Sequence, residues 1–170
     1  MASSTSGPCV RVIMQQCLSA RLQVQPPSDQ KPAEYVEIKR GVILHVAFLK
    51  GAALDIIPKV VKAVLNVRLS ETDSNSKVSV LELPGDVLIV PQATIGGKLK
   101  GKSMQYHTNI AKTEALELYK EFVSLCNKTV SEEAKKADSD VSPQVKWGTY
   151  GNRQVLSSCT NGPYTHVLDF

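Results

Sequence analysis

The chain has 170 residues, of which 42% are hydrophobic and 21% are charged, and this balance excludes a fully disordered protein. Its length suits one globular domain with a substantial core, and its net charge of +4 favours an anionic partner such as RNA without establishing one. The polar N-terminus lacks the apolar stretch of a signal peptide, and no apolar run approaches the ~20 residues of a membrane span. We therefore expect a cytoplasmic protein with no membrane partner, a disordered segment at residues 1–9 and a single domain at residues 10–170.

The first part of the chain predicts four strands. Residues 10–24 contain two apolar stretches around a polar turn, which indicates a strand pair. Residues 35–38 and 42–48 predict two further strands, hinged at residues 39–41. Because the segment 42–48 is apolar almost throughout, we expect it to be central in a sheet and buried on both faces.

The middle part of the chain predicts two helices with a hairpin between them. Apolar residues recur from Ile56 to Leu65 and predict a first helix, with Asp55 as its cap and Pro58 tolerated in its first turn. Residues 78–83 and 87–91 predict a hairpin around a Pro-Gly-Asp turn. A second helix is expected over about residues 113–127, where it runs into a mobile surface segment that extends to residue 143.

The C-terminal part predicts strands at residues 145–147, 154–156 and 164–170. Strands joined by tight turns, with two helices between them, are typical of an α+β protein rather than a doubly wound parallel sheet. The predicted fold is a mostly antiparallel sheet curled into a barrel-like core with two main helices.

Metal and cofactor chemistry have no sequence support. The four cysteines lack C-x-x-C spacing, and the three histidines lack ligand spacing beside them. We expect free, mostly buried thiols, no metal and no cofactor. The cysteines are Cys9, Cys17, Cys126 and Cys159.

Two short segments are the best candidates for a site. They are Pro91-Gln92-Ala93-Thr94 and Asn161-Gly162-Pro163-Tyr164-Thr165, each at the edge of a predicted strand. Neither segment contains an acid, a histidine or a cysteine that could act as a catalyst. His166 follows Thr165 directly, but on a strand the two side chains would point to opposite faces. The hydroxyls of Thr94 and Thr165 are better explained by hydrogen bonding than by nucleophilic attack, so any chemistry here depends on positioned main-chain groups.

A lysine-rich loop follows the first segment. Lys98, Lys100 and Lys102 alternate with glycines between residues 96 and 102, a pattern that suits phosphate binding. The same pattern also fits a solvated hairpin turn. It is not a Walker motif, because the required spacing and the following helix are missing.

These segments carry a family resemblance. The run from Leu83 to Thr94 and the run from Asn161 to Thr165 resemble the D-aminoacyl-tRNA deacylases, over about residues 10–170. The main branch of that family has Ser-Gln-x-Thr and Asn-x-Pro-x-Thr at the matching places. Here Pro91 replaces the serine, Ala93 the usual phenylalanine, and Gln16 an arginine that supports the Gly-Pro turn. These departures resemble the animal-specific branch, with its Pro-Gln-x-Thr motif and trans Gly-Pro turn.

The resemblance implies a homodimeric hydrolase in which each subunit lends its Gly-Pro turn to the other's pocket. It implies cleavage of mischarged aminoacyl-tRNA, notably L-alanyl-tRNA(Thr) and also D-aminoacyl-tRNA, by main-chain oxyanion stabilisation with help from the tRNA 2'-hydroxyl. The open alternatives are a non-catalytic RNA-binding module of the same fold and a small-molecule hydrolase unrelated to tRNA.

The implied residues fall into four groups. The catalytic segment is Gln92, Ala93 and Thr94, beside which the 3'-terminal adenosine would enter. The substrate-binding positions are Pro91, Gly162, Pro163 and Thr165, and the turn supports are Gln16 and Arg153. The tRNA partner, through its 3'-terminal adenosine and acceptor stem, would have its phosphates contacted by Lys98, Lys100, Lys102, Lys39 and Arg40.

Overall fold

The computed structural model describes residues 7–137, 139–162 and 164–170. Its elements in chain order are β1 (Val10–Cys17), β2 (Ser19–Gln25), β3 (Glu34–Ile38), β4 (Gly41–Phe48), α1 (Ile57–Asn66), β5 (Ser70–Glu71), β6 (Lys77–Val78), β7 (Asp86–Pro91), β8 (Lys98–Lys100), β9 (Ser103–Gln105), α2 (Lys112–Lys136), β10 (Val145–Trp147), β11 (Leu156–Cys159) and β12 (Thr165–Asp169). Two 3-10 turns, Leu54–Ile56 and Ala93–Gly96, complete the set.

The main sheet has five strands in the order β10-β7-β4-β1-β12. β1 pairs antiparallel with β4 and β12, whereas β7 runs parallel to both β4 and β10. A smaller antiparallel sheet has the order β11-β2-β3. The α+β class, the mostly antiparallel pairing and the two main helices are thereby confirmed, and within the described residues the core is built from separate sheets rather than one closed barrel.

Two apolar layers lie on either side of the main sheet. Both helices pack on one face, where β4 contributes alternate residues such as Leu44 and α2 contributes Phe122. The small sheet covers the other face around Ile43 and Leu22. As predicted, β4 is central and buried on both faces, since every residue in it except His45 is buried. Each fully buried Leu or Ile contributes about 1.5–3 kcal/mol, so these two layers hold the sheet rigid.

The start of α1 differs in detail from the prediction. The helix begins at Ile57 with Pro58 in its first turn, as expected, but Asp55 lies in the preceding 3-10 turn and the helix has no side-chain cap. The 3-10 turn leads directly into the helix, so the extended cap geometry falls on Ala53 and not on Asp55.

The predicted hairpin over residues 78–91 is wrong. Val78 pairs only with Ser70, and residues 79–85 form turns in which Ser79 and Glu82 bond each other's main-chain amides at 2.7 and 3.1 Å. β7 then pairs with β4 from Gly41–Asp86 onward, so its partner comes from a distant part of the chain.

Helix α2 is longer than predicted. It continues to Lys136 because Val130 extends its buried face, so the mobile surface segment expected from residue 127 is helical over its first part. β11 also begins later than expected, at Leu156. A disordered segment was expected at residues 1–9, of which residues 1–6 lie outside the described residues. At its end, Cys9 is ordered, because its amide donates to the Phe170 carbonyl at 2.7 Å. Among the described helices, none has the length and apolar character needed to cross a membrane.

Candidate active site

The first predicted segment forms a tight turn at the end of a central strand. β7 ends at Pro91, and the chain enters the 3-10 turn Ala93–Gly96. The amide of Gln92 bonds the Val46 carbonyl at 2.9 Å, and the amide of Gly97 bonds the Thr94 carbonyl at 3.0 Å. The amides of Ala93 and Thr94 have no acceptor among the described residues, because they open the turn. Two main-chain donors therefore remain available beside each other.

A neighbouring segment fixes this turn at both ends. The Asn109 side-chain amide donates to the Ala93 carbonyl at 2.9 Å, and the Thr108 hydroxyl donates to the Gly96 carbonyl at 3.2 Å. That segment is itself bound to the end of β4, since the Lys50 amide donates to the Thr108 carbonyl at 2.8 Å. The turn is thus held by side chains attached to the most buried strand of the fold.

Asn109 was missed by the sequence reasoning. It lies outside both predicted segments, and no local pattern marks it, because its partner Ala93 is 16 positions earlier. Its Oδ1 atom is buried and is the one buried side-chain polar atom in the described part of the chain without a hydrogen-bond partner. A Cβ placed on Gly96 would lie only 2.3 Å from this atom, so a glycine is needed where the asparagine packs against the turn.

Gln92 and Thr94 bond each other rather than a base. The Gln92 side-chain amide donates to the Thr94 hydroxyl oxygen. That hydroxyl is exposed, and no described aspartate, glutamate, histidine or cysteine lines the adjoining cavity. No carboxylate, imidazole or thiol of the described cavity lining is therefore available to deprotonate Thr94.

The turn borders a cavity of about 580 Å³. Pro91, Gln92, Ala93, Thr94 and Arg153 all line it. Lys112 and Tyr150 complete its polar wall. Burial raises the pKa of the Tyr150 phenol, so this group stays protonated and neutral near pH 7. Two cations and no described acid make the cavity suitable for an anionic ligand.

The second predicted segment, residues 161–165, is held by Gln16. The side-chain amide of the buried Gln16 lies 2.6 Å from the Gly162 carbonyl, 2.6 Å from the Thr160 hydroxyl and 3.0 Å from Asn161 Oδ1. A Cβ on Gly162 would lie 2.9 Å from the Tyr164 ring, which would have to shift to make room for it. Pro163 lies outside the described residues. Gly162 does not line the cavity formed by the first segment of the same chain.

The remaining predicted residues are spread over the surface. Arg153 lines the cavity but makes no hydrogen bond to the Gly162 turn among the described residues. Thr165 is exposed on the edge strand β12, opposite Gln15. Lys98 and Lys100 lie on β8 and Lys102 in the turn to β9, so the lysine loop forms a solvated hairpin.

Lys39 and Arg40 are far from that hairpin. They precede β4, whereas the hairpin follows the turn at the opposite end of the sheet, roughly 20 Å away by strand rise. The Arg40 guanidinium also donates to the Glu71 carbonyl. The structure therefore does not bring the five predicted tRNA contacts into one patch.

Comparisons with known proteins agree with the fold and the motifs. The family model described as D-Tyr-tRNA(Tyr) deacylase matches residues 13–169. The chain is 58% identical over 160 residues to "D-aminoacyl-tRNA deacylase 2" of Danio rerio, covering 94% of this chain and 98% of that protein. It is 51% identical over 170 residues to the protein of that name from Homo sapiens, over the whole of both chains.

Solved structures show the same architecture. A structure titled "Structural Analysis of a probable eukaryotic D-amino acid tRNA deacylase" is similar with a TM-score of 0.80 and 29% identity, covering 95% of this chain and 99% of that one. "c-Myc DNA Unwinding Element Binding Protein" has a TM-score of 0.77 at 22% identity over 94% of this chain and 98% of that one, which shows a shared fold alone.

Proposed function

The chain belongs to the D-Tyr-tRNA(Tyr) deacylase family and is an aminoacyl-tRNA deacylase, and we propose that it proofreads L-alanyl-tRNA(Thr) as well as D-aminoacyl-tRNA. The observation that carries the proposal is the turn at residues 92–96. It has two main-chain amides with no acceptor among the described residues, borders a cavity lined by Lys112 and Arg153, and is held by Asn109. The similarity of the whole chain to vertebrate relatives fits the animal-specific branch of the family.

The two amides supply the oxyanion site. When water attacks the ester carbonyl carbon, the carbonyl oxygen gains negative charge, and the Ala93 and Thr94 amides, which have no acceptor among the described residues, donate to it. One such fixed donor typically contributes ~2.7–4 kcal/mol to the transition state. The ester C–O bond then breaks, the tRNA 3'-oxygen takes a proton, and the free amino acid leaves.

The group that assists the attacking water comes from the substrate. The cavity has no described acid, histidine or cysteine, and the Thr94 hydroxyl is bonded to Gln92. The 2'-hydroxyl of the terminal ribose is adjacent to the ester in every aminoacyl-tRNA, so it can orient the attacking water. Lys112 and Arg153 then hold the phosphates of the tRNA end, whose terminal adenosine enters beside Gln92.

A homodimer completes the pocket. Gly162 does not line the cavity of its own chain, whereas Arg153 does and has no described partner there. In the dimer, the Gly162-Pro163 turn of the partner subunit enters this cavity next to Arg153. Gln16 supports that turn from behind through its contact with the Gly162 carbonyl. Pro91 and Gln16, in place of the main-branch residues, favour a wider pocket that admits L-alanine.

The 2'-hydroxyl provides a test of the mechanism. D-aminoacyl-tRNA ending in 2'-deoxyadenosine should be cleaved ~10²–10⁴-fold more slowly than the ribose form, the usual range for a lost proton-transfer group. Equal rates would contradict a substrate-supplied base. A chain that shifts tRNA in a gel but cleaves neither D-aminoacyl-tRNA nor L-alanyl-tRNA(Thr) would be the non-catalytic RNA-binding module instead.

A further inference from the structure

A second cavity adjoins the candidate active site. It encloses about 610 Å³ between β10, the first half of α2 and the strands of the small sheet. Trp147 and Lys146 from β10 line it, together with Lys120 from α2 and Tyr150 from the following loop. None of the proposed catalytic residues takes part in it.

The lining combines an exposed aromatic ring with positive charge. Trp147 is the only tryptophan of the chain, and its side chain is 44% exposed instead of packing into the core. Lys146 has no acidic partner among the described residues, while Lys120 shares its charge with Glu117 at 3.2 Å on the solvent side. Aromatic faces stack nucleobases and lysines attract phosphates, so this chemistry fits a nucleotide of single-stranded RNA.

The two cavities share a wall residue. Tyr150 lines both of them. Gly148 also lies at the boundary, because a Cβ on it would come within 3.0 Å of Pro91 Cδ. The Tyr119 hydroxyl donates to the Gly148 carbonyl at 2.6 Å, and its ring packs 5.5 Å from the ring of Tyr150, which fixes this boundary. A single-stranded segment that leaves the first cavity at Tyr150 therefore meets a neighbouring cavity whose lining includes Trp147.

We propose that the second cavity binds the nucleotide preceding the terminal adenosine of the tRNA, the penultimate cytidine. Its base stacks on Trp147, and Lys146 contacts its phosphate. This assignment rests on the proposed function, because it takes the terminal adenosine to occupy the first cavity. It explains why an indole stays exposed on the edge strand next to the reaction site.

The fluorescence of Trp147 tests the assignment without any turnover. Because the chain has one tryptophan, its emission reports this cavity alone. Titration with the trinucleotide cytidylyl-cytidylyl-adenosine should quench it in a saturable way, whereas adenosine alone should leave it unchanged. Quenching by adenosine alone would place the terminal base in the second cavity and overturn the proposal. No quenching by the trinucleotide would overturn it as well.

Kinetics separate stacking from a structural role. Trp147→Ala should raise KM for D-aminoacyl-tRNA by about 5- to 150-fold with little change in kcat, and Trp147→Phe should restore most of the affinity. Hydrolysis of the same amino acid esterified to adenosine alone should be unaffected in both variants. Lys146→Ala should raise KM for the tRNA more than Lys59→Ala, a matched change of an exposed lysine on α1.

Failure of this cytidine assignment is distinguishable from failure of the proposed function. If the wild-type protein cleaves neither substrate, the proposed function fails, and the fluorescence titration still measures the cavity. An unchanged KM in Trp147→Ala, or an equal loss on the adenosine ester, would overturn the assignment while leaving the deacylase activity intact.

Discussion

Replacing Asn109 by alanine should separate activity from stability. Its side-chain amide bonds the Ala93 carbonyl at 2.9 Å, and such a neutral bond contributes ~0.5–1.5 kcal/mol to stability. Its Oδ1 is buried without a partner, which costs ~1–3 kcal/mol. The two contributions nearly cancel or favour the variant. We therefore expect an unchanged or slightly higher Tm, rising by about 2–4 °C for each kcal/mol gained.

Activity should fall in the same variant. Without Asn109 the Ala93 carbonyl is free to rotate, and the Ala93 and Thr94 amides lose their fixed direction. Complete loss of one oxyanion donor costs ~10²–10³ in kcat, and partial disorder should cost about tenfold, or ~1.4 kcal/mol. Asn109→Asp should be worse than alanine, because a carboxylate would face the Ala93 carbonyl oxygen and repel the developing oxyanion.

The assay is single-turnover hydrolysis of D-aminoacyl-tRNA over a range of enzyme concentrations, with thermal unfolding measured on the same preparations. Asn66→Ala is the matched control, because its amide also donates to a carbonyl, Lys62 on α1, at 2.8 Å but away from the site. We expect that control to keep its rate. A rate within twofold of wild type for Asn109→Ala, or a loss of rate that follows a loss of Tm, would refute this reasoning.

Three further changes test other parts of the site. Gln16→Arg, which introduces the main-branch residue behind the Gly162 carbonyl, should lower cleavage of L-alanyl-tRNA(Thr) relative to D-aminoacyl-tRNA by about tenfold, measured as a ratio of kcat/KM; an unchanged ratio would contradict its role. Thr94→Ala should retain at least about a tenth of wild-type kcat, since only the bond to Gln92 is lost; inactivity with intact tRNA binding would indicate a threonine nucleophile. Replacing all three hairpin lysines, Lys98, Lys100 and Lys102, by alanine should make the dependence of log Kd on log salt shallower by about two to three units; an unchanged slope would remove the hairpin from the tRNA interface.

Much of the fold was predictable because its signals are local. The apolar run of β4 and the stripe of α1 carry their own burial patterns, and both elements were identified correctly. The prediction paired β7 with the residues just before it, whereas β7 pairs with β4, starting at Gly41–Asp86. A long stretch of chain separates these two strands, so no local pattern reveals their pairing. The length of α2 was underestimated because one buried residue, Val130, continues its apolar face among charged neighbours.

The candidate site was likewise predictable only where its signal is local. The segment from Pro91 to Thr94 was recognisable because proline and small polar residues end an apolar strand, and the structure places it on the cavity that Arg153 also lines. Asn109 was not recognisable, because its contact with Ala93 depends on how two distant loops meet at the end of β4. Nor does sequence spacing show that Lys39 and the lysine hairpin lie at opposite ends of the sheet.

Substrate discrimination tests the central claim most directly. The measurement is kcat/KM for L-alanyl-tRNA(Thr) and for L-threonyl-tRNA(Thr) with the same tRNA, in the same buffer and with the wild-type protein. The proposed function predicts that the alanyl ester is cleaved ~10- to 200-fold more efficiently, the range that small side-chain differences can supply. Equal cleavage of the two esters, or no cleavage of the alanyl ester by a preparation that hydrolyses D-aminoacyl-tRNA, would contradict it.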